Sequence, residues 1–119
     1  MKILFDHNVP RRLAGLLTGH LVLTTRAMGW EKLGIGALLK AAGGAAFEAF
    51  LSIDKNIEYE QNLRSLPLPV IVIDGRSNAL PVLVPFVPSL LDLCRSPLER
   101  VLYIVEPNGT VIRLVSPRR

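Results

Sequence analysis

Ile3-Leu4-Phe5-Asp6-His7-Asn8-Val9-Pro10-Arg11-Arg12 stands at the start of the sequence, and Phe50-Leu51-Ser52-Ile53-Asp54-Lys55-Asn56 repeats its design near the middle. Each is a short apolar run that ends on an aspartate. Such runs suit strands buried on both faces of a sheet. In open α/β sheets, ligands collect outside the carboxyl ends of the strands, where the strand order reverses. The doubled pattern therefore points to an α/β fold with a site at Asp6 and Asp54.

Working outward, residues 2–5 read as the first strand. Pro10 fits the first turn of a helix, where no amide donor is needed. Val9, Leu13, Leu16 and Leu17 recur at helical spacing, up to a stop near Thr18-Gly19. Residues 20–24 read as a second strand, and 25–34 as a loop holding Met28-Gly29-Trp30. A short helix is expected over 35–42, stopped by Gly43-Gly44, with a third strand over 47–53. A helical turn or two over 56–63 precedes a fourth strand over 70–73. Asn78 is placed to cap a helix over 79–95, which Pro81, Pro85 and Pro88 confine or kink. Two apolar runs, 101–106 and 110–115, flank Asn108-Gly109, a dipeptide that suits a type I′ hairpin turn.

Strands alternating with helices argue for a mostly parallel sheet covered on both faces. Right-handed crossovers make 2-1-3-4 the simplest strand order, with Asp6 and Asp54 at neighbouring tips. The expected organisation is an α/β unit over 1–95 and a hairpin extension over 96–119. A lone hairpin is marginal in water. It is expected to pack on the domain, and above all to extend the sheet edge or meet a second copy in a homodimer.

The 119 residues suit one domain, and half of them are hydrophobic, enough for a core. The net charge of +4 permits a polyanionic partner without demanding one. The basic residues are scattered, with pairs only at Arg11-Arg12 and Arg118-Arg119, and most of them read as solvated surface. The apolar runs are too short and too broken for a membrane span or a signal peptide. A single cysteine, Cys94, excludes an internal disulfide and a cysteine-based zinc cluster. No membrane association and a cytoplasmic location are expected.

Hard cations such as Mg²⁺ and Mn²⁺ take oxygen ligands, and one or two carboxylates suffice when water and phosphate complete the shell. Asp6 and Asp54 meet that minimum. The competing reading of each is a cap or turn former that accepts backbone amides, and Asp74-Gly75 reads chiefly as a turn. His7 reads as a solvent-facing loop residue that need not converge with Asp6. Trp30 reads as a loop anchor or a stacking platform. Glu58 and Glu60 read as the solvated face of a short helix.

The sequence Phe5-Asp6-His7-Asn8-Val9-Pro10-Arg11-Arg12-Leu13 resembles the opening of the small bacterial PIN-like domain proteins. Further blocks of that pattern are Met28-Gly29-Trp30, Gly36-Ala37-Leu38-Leu39, Leu51-Ser52-Ile53-Asp54-Lys55-Asn56, Gln61-Asn62-Leu63 and Arg76-Ser77-Asn78. They cover about residues 1–95. The resemblance implies a PIN-like three-layer fold and a toxin-type, Mg²⁺- or Mn²⁺-dependent ribonuclease paired with a cognate antitoxin. It implies Asp6 and Asp54 as catalytic and metal-holding residues. Arg11, Arg12, Asn8, Lys55, Asn56 and Arg76 are the candidate RNA contacts around them. Three positions depart from the pattern: His7, Ala37 and Asn56 stand where relatives often carry acids. The acidic set is thus thinned to two, which makes a PIN-like protein- or RNA-binding module without catalysis the alternative. A phosphate-accepting regulator domain ranks last, since it lacks an acidic pair after the first strand and a late lysine.

Overall fold

A computed structural model describes residues 1–118. Six strands form one sheet in the order β2-β1-β3-β4-β5-β6. They are β1 (Lys2–Phe5), β2 (Leu21–Thr24), β3 (Ala49–Ser52), β4 (Val70–Ile73), β5 (Leu102–Val105) and β6 (Val111–Leu114). All pairs are parallel except β5 with β6. The helices are α1 (Ile35–Gly44), α2 (Ile57–Glu60), α3 (Leu80–Leu83) and α4 (Val87–Leu93). Among the described residues, no helix is long and apolar enough to cross a membrane.

Alternation along the central strands sorts the core into two layers. Ile3, Phe5, Leu51, Ile71 and Ile73 face Val9, Leu13 and Leu17 on one side, together with Leu83, Phe86 and Leu90. Leu4, Phe50, Val70 and Val72 face Leu38, Leu39 and Ala42 of α1 on the other, together with Ile57 and Leu63. β1, β3, β4 and β5 are buried on both faces apart from half-buried Lys2, which is why they read as continuous apolar runs.

Several expectations need correction. The segment after Pro10 is not an α-helix but a 3-10 helix, Arg11–Leu16. It is short, and Gly15 at its centre removes helical preference. Leu13 and Leu17 are buried there while Leu16 is exposed. α1 does not stop before Gly43-Gly44 but runs through both. A Cβ on Gly43 would come within 2.9 Å of Pro67, so close packing rather than chain termination explains this glycine. The helix over 79–95 breaks into α3, a 3-10 turn (Val84–Phe86) and α4, with a proline near the start of each piece. Ala79, not Asn78, occupies the N-cap. The amide of Asn78 instead donates to the Asn8 carbonyl at 3.3 Å.

The hairpin turn is not type I′ either, because Asn108 keeps a negative φ and only Gly109 is left-handed, at +88°. Gly109 N–H donates to Glu106 O, and Glu106 N–H to Thr110 O, which makes a three-residue loop closed by a left-handed glycine. The hairpin extends the sheet through β5, which pairs with β4 along its whole length and is fully buried. Along the sheet toward β5, α1 and α2 lie on one face and α3 and α4 on the other. The β4-to-β5 crossover therefore has the opposite hand to the β3-to-β4 crossover, a departure from the usual uniform handedness.

Candidate functional site

The chain leaves β1 toward β2 on one side and returns with β3 on the other, so the strand order reverses between the tips of β1 and β3. Asp6 follows β1 and Ser52 ends β3 at that point. Asp6 N–H donates to Leu51 O at 2.9 Å, which continues the ladder one residue past the strand. Asp6 is only 4% exposed.

Both Asp6 oxygens have partners. Oδ1 accepts from His7 N–H at 2.8 Å and lies 3.1 Å from His7 Nδ1. Oδ2 accepts from the Ser52 hydroxyl at 2.8 Å. Ser52 Oγ in turn accepts from Asp54 N–H at 3.0 Å and from the Asn8 amide at 3.4 Å. The hydroxyl thus uses its one donor and both acceptor sites. Asp54 is half-buried, and its Oδ1 accepts Asn56 N–H at 3.0 Å, the local turn bond of an aspartate in a loop. The two aspartates are therefore joined through Ser52.

Ser52 is the residue that sequence reading missed. Its signal was present, since it is the one polar side chain inside the run 50–53 and is fully buried. His7 departs from its expectation in part. It is exposed, yet it converges on Asp6, because it lies beyond the end of β1 where strand alternation no longer applies.

The other candidates separate into three places. Arg11 is exposed on the first turn of the 3-10 helix and lines a cleft of about 680 Å³ that includes Asp6 and His7. Arg12 is exposed beside it, outside the cleft. Asn8 is turned inward toward Ser52 and has a buried, unpartnered Oδ1. Lys55 is drawn to Asp74 Oδ1 at 2.8 Å, and both share a smaller recess of about 360 Å³ with exposed Arg76. Asn56 is exposed. Ala37 lies in a third recess, with Gln61 and Asn62. Trp30 packs edge-on to Phe47 at 6.0 Å between ring centroids, which anchors its loop to the core.

Charge is distributed unevenly. Among the described residues, Asp6 and Asp54 have no Arg or Lys partner. Asp74 has Lys55. Glu58 corrects the expectation of a solvated face: it is 2% exposed and bound by Arg118 through Nη2 at 3.0 Å, Nε at 3.2 Å and the backbone N–H at 2.7 Å. These bonds hold the Glu58 carboxyl below its usual range and raise the Arg118 guanidinium above its own. Arg118 is thereby paired although its side chain stays 46% exposed. Burial pushes the Cys94 thiol up to about 11, which leaves it a packing residue rather than a nucleophile.

Among the described residues, no group of three or more His, Cys, Asp or Glu side chains is arranged to hold a metal. Among the described residues, nothing donates to one Asp54 carboxylate oxygen, and the Asp6 oxygens retain lone pairs beyond the bonds they accept. No family model, curated protein or solved structure matches the chain.

Proposed function

We propose that this protein is a PIN-like domain that acts on RNA as a divalent-metal-dependent endoribonuclease of the toxin type, with Asp6 and Asp54 as its acidic pair. One observation carries the reading. Asp6 and Asp54 both lie at the strand-order reversal, linked through Ser52 Oγ to the Asp6 carboxylate and the Asp54 backbone N–H, and among the described residues neither carboxylate is paired with an Arg or Lys, while Glu58 and Asp74 each are. Uncompensated negative charge in a partly buried place attracts a cation, and Mg²⁺ or Mn²⁺ accepts so small a ligand set when phosphate and water complete it.

Asp6 and Asp54 would hold that ion. Bound there, it supplies charge stabilisation and an activated water for phosphodiester hydrolysis. Ser52 keeps the two aspartates in register through its three hydrogen bonds. Arg11, which shares the cleft with Thr24 and Thr25, and Arg12 beside it in sequence would serve as phosphate contacts. A cognate antitoxin would neutralise the activity.

A second reading, a PIN-like binding module without catalysis, is favoured by the engagement of both Asp6 oxygens with His7 and Ser52. In that case the tip network is a fastening between β1 and β3. One experiment separates the two. The purified protein is incubated with single-stranded RNA in Mn²⁺, in Mg²⁺ and in chelator, beside Asp6→Asn. Metal-dependent cleavage lost in Asp6→Asn supports the nuclease. Cleavage that persists in chelator or in Asp6→Asn rejects it. Binding without cleavage selects the module.

A further inference from the structure

β6 closes the sheet on the hairpin side, and its one neighbour among the described residues is β5. Glu106 N–H donates to Thr110 O at 2.8 Å, and in an antiparallel pair such bonded positions recur at every second residue. Ile112 and Leu114 therefore bond to β5, while the N–H and C=O groups of Val111 and Arg113 point away from the sheet. Natural sheet edges are commonly guarded by proline, lysine or a bulge. Val111–Leu114 contains neither proline nor lysine, and it pairs with β5 residue for residue, without a bulge. Its one charge, Arg113, is already paired with Glu99 of the same chain.

The side chains of this edge are self-complementary. Ile112 and Leu114 are half-buried against the core layer that α1 covers. Arg113 lies on the other face, in register with Tyr103. A two-fold axis through Arg113, normal to the sheet, sets β6 antiparallel to the same strand of a second copy. Arg113 then meets the partner's Arg113 as a hydrogen-bonded pair, and Ile112 meets the partner's Leu114 as the closer, non-bonded kind. The apolar layer thus continues across the junction. Two like charges directly opposite are unfavourable, but Glu99 beside each arginine makes the group of four neutral. An axis through Ile112 instead sets Leu114 against the partner's Thr110 and loses the apolar pair.

We propose that β6 is a homodimer interface, in which two copies join their sheets edge to edge through antiparallel β6 strands centred on Arg113. The pairing is isologous and closes on itself, so it ends at two copies. The axis reverses the strand direction of one copy. The Asp6 tips therefore open at opposite ends of the joined sheet, and each site works alone. The interface is independent of the RNA reading above, and either can fail without the other.

The test is light scattering on the full chain over a dilution series. Wild type is expected to show twice the chain mass and to fall to the single mass on dilution. Arg113→Pro removes an N–H that the single chain does not use, and proline is accepted on an edge in that orientation. It is expected to be monomeric. Arg113→Glu leaves the backbone intact and crowds carboxylates at the axis, and it is expected to be monomeric too; circular dichroism reports the folding of both. Under oxidation, Arg113→Cys is expected to give a disulfide-linked dimer, since bonded antiparallel pairs hold their Cα atoms about 5.5 Å apart, within disulfide reach. Ile112→Cys is expected to give none, and Cys94 is buried and does not compete. A single mass at every concentration overturns the proposal. So does a dimer that survives both Arg113→Pro and Arg113→Glu, or one that Ile112→Cys links and Arg113→Cys does not.

Discussion

Asp6 and Glu58 are the two buried carboxylates among the described residues, and they are held in different ways. Glu58 sits on α2 under three bonds from Arg118, so its charge is cancelled by the chain itself. Asp6 sits at the tip of β1 under a hydroxyl, a backbone N–H and an exposed histidine, with no Arg or Lys among the described residues. A buried charge is costly unless paired. Where the protein supplies the counter-charge, the carboxylate is a fastening. Where it supplies only hydrogen bonds, negative potential is left over at the surface, and the tip of β1 faces a cleft. The contrast teaches that burial alone does not mark a site; the nature of the partner does.

The largest expected effect tests the Asp6 side. Asp6→Asn should lower metal-dependent RNA cleavage at least about 100-fold, as removal of a charge-stabilising group does, in a gel assay at saturating Mn²⁺. Its unfolding free energy should move by less than about 1 kcal/mol, because the amide oxygen still accepts one of the two bonds. A large loss of stability with activity intact would make Asp6 a fastening like Glu58 and erase the contrast.

Arg118→Ala tests the other side. It strands Glu58 and should cost about 1–3 kcal/mol in denaturant unfolding, less than a fully enclosed pair, because the Arg118 side chain is 46% exposed. The double variant with Glu58→Gln should recover part of that loss, since the neutral amide needs no counter-charge. RNA cleavage should be unchanged in both.

Acid should distinguish the same pair. The folded Glu58 carboxyl titrates below its unfolded value near 4.5. Its contribution to stability is therefore present above pH about 4.5 and is lost as pH falls through the lowered folded value. Wild type should lose stability below that pH more steeply than Glu58→Gln, measured by thermal melts across the acid range. Equal slopes would mean that the tail does not hold Glu58 in solution.

The smallest effect lies in the turn that leads into β6 and the tail. Gly109→Ala places a side chain at a φ of +88° and should cost about 1 kcal/mol in unfolding free energy. Only a small further loosening of the Arg118 contact is expected, seen as a modest rise in hydrogen exchange at residues 57–60.

The strands were the legible part. β4 over residues 70–73 is a pure run of Val and Ile, and only a strand buried on both faces uses such a run. The helical pieces were less legible. Val9, Leu13 and Leu17 have helical spacing, yet they are buried by a 3-10 helix, since a short segment with a central glycine can use either geometry. Asn108-Gly109 marked the hairpin correctly and its turn type wrongly, because Pro107 joins the loop and moves the left-handed position to glycine alone. Within the site, the aspartates stood out as carboxylates that close buried apolar runs. Ser52 did not, since a hydroxyl beside apolar residues reads as part of the strand until its partners are known.

By itself, the sequence determined a buried parallel-type sheet with aspartates just past two of its strands, because apolar runs, prolines and glycines act locally. Only the tertiary structure decided the charges. The partner of Glu58 lies 60 residues away at Arg118 and that of Asp6 lies 46 residues away at Ser52. Such distant pairings follow from strand order and crossover side, which no local pattern encodes.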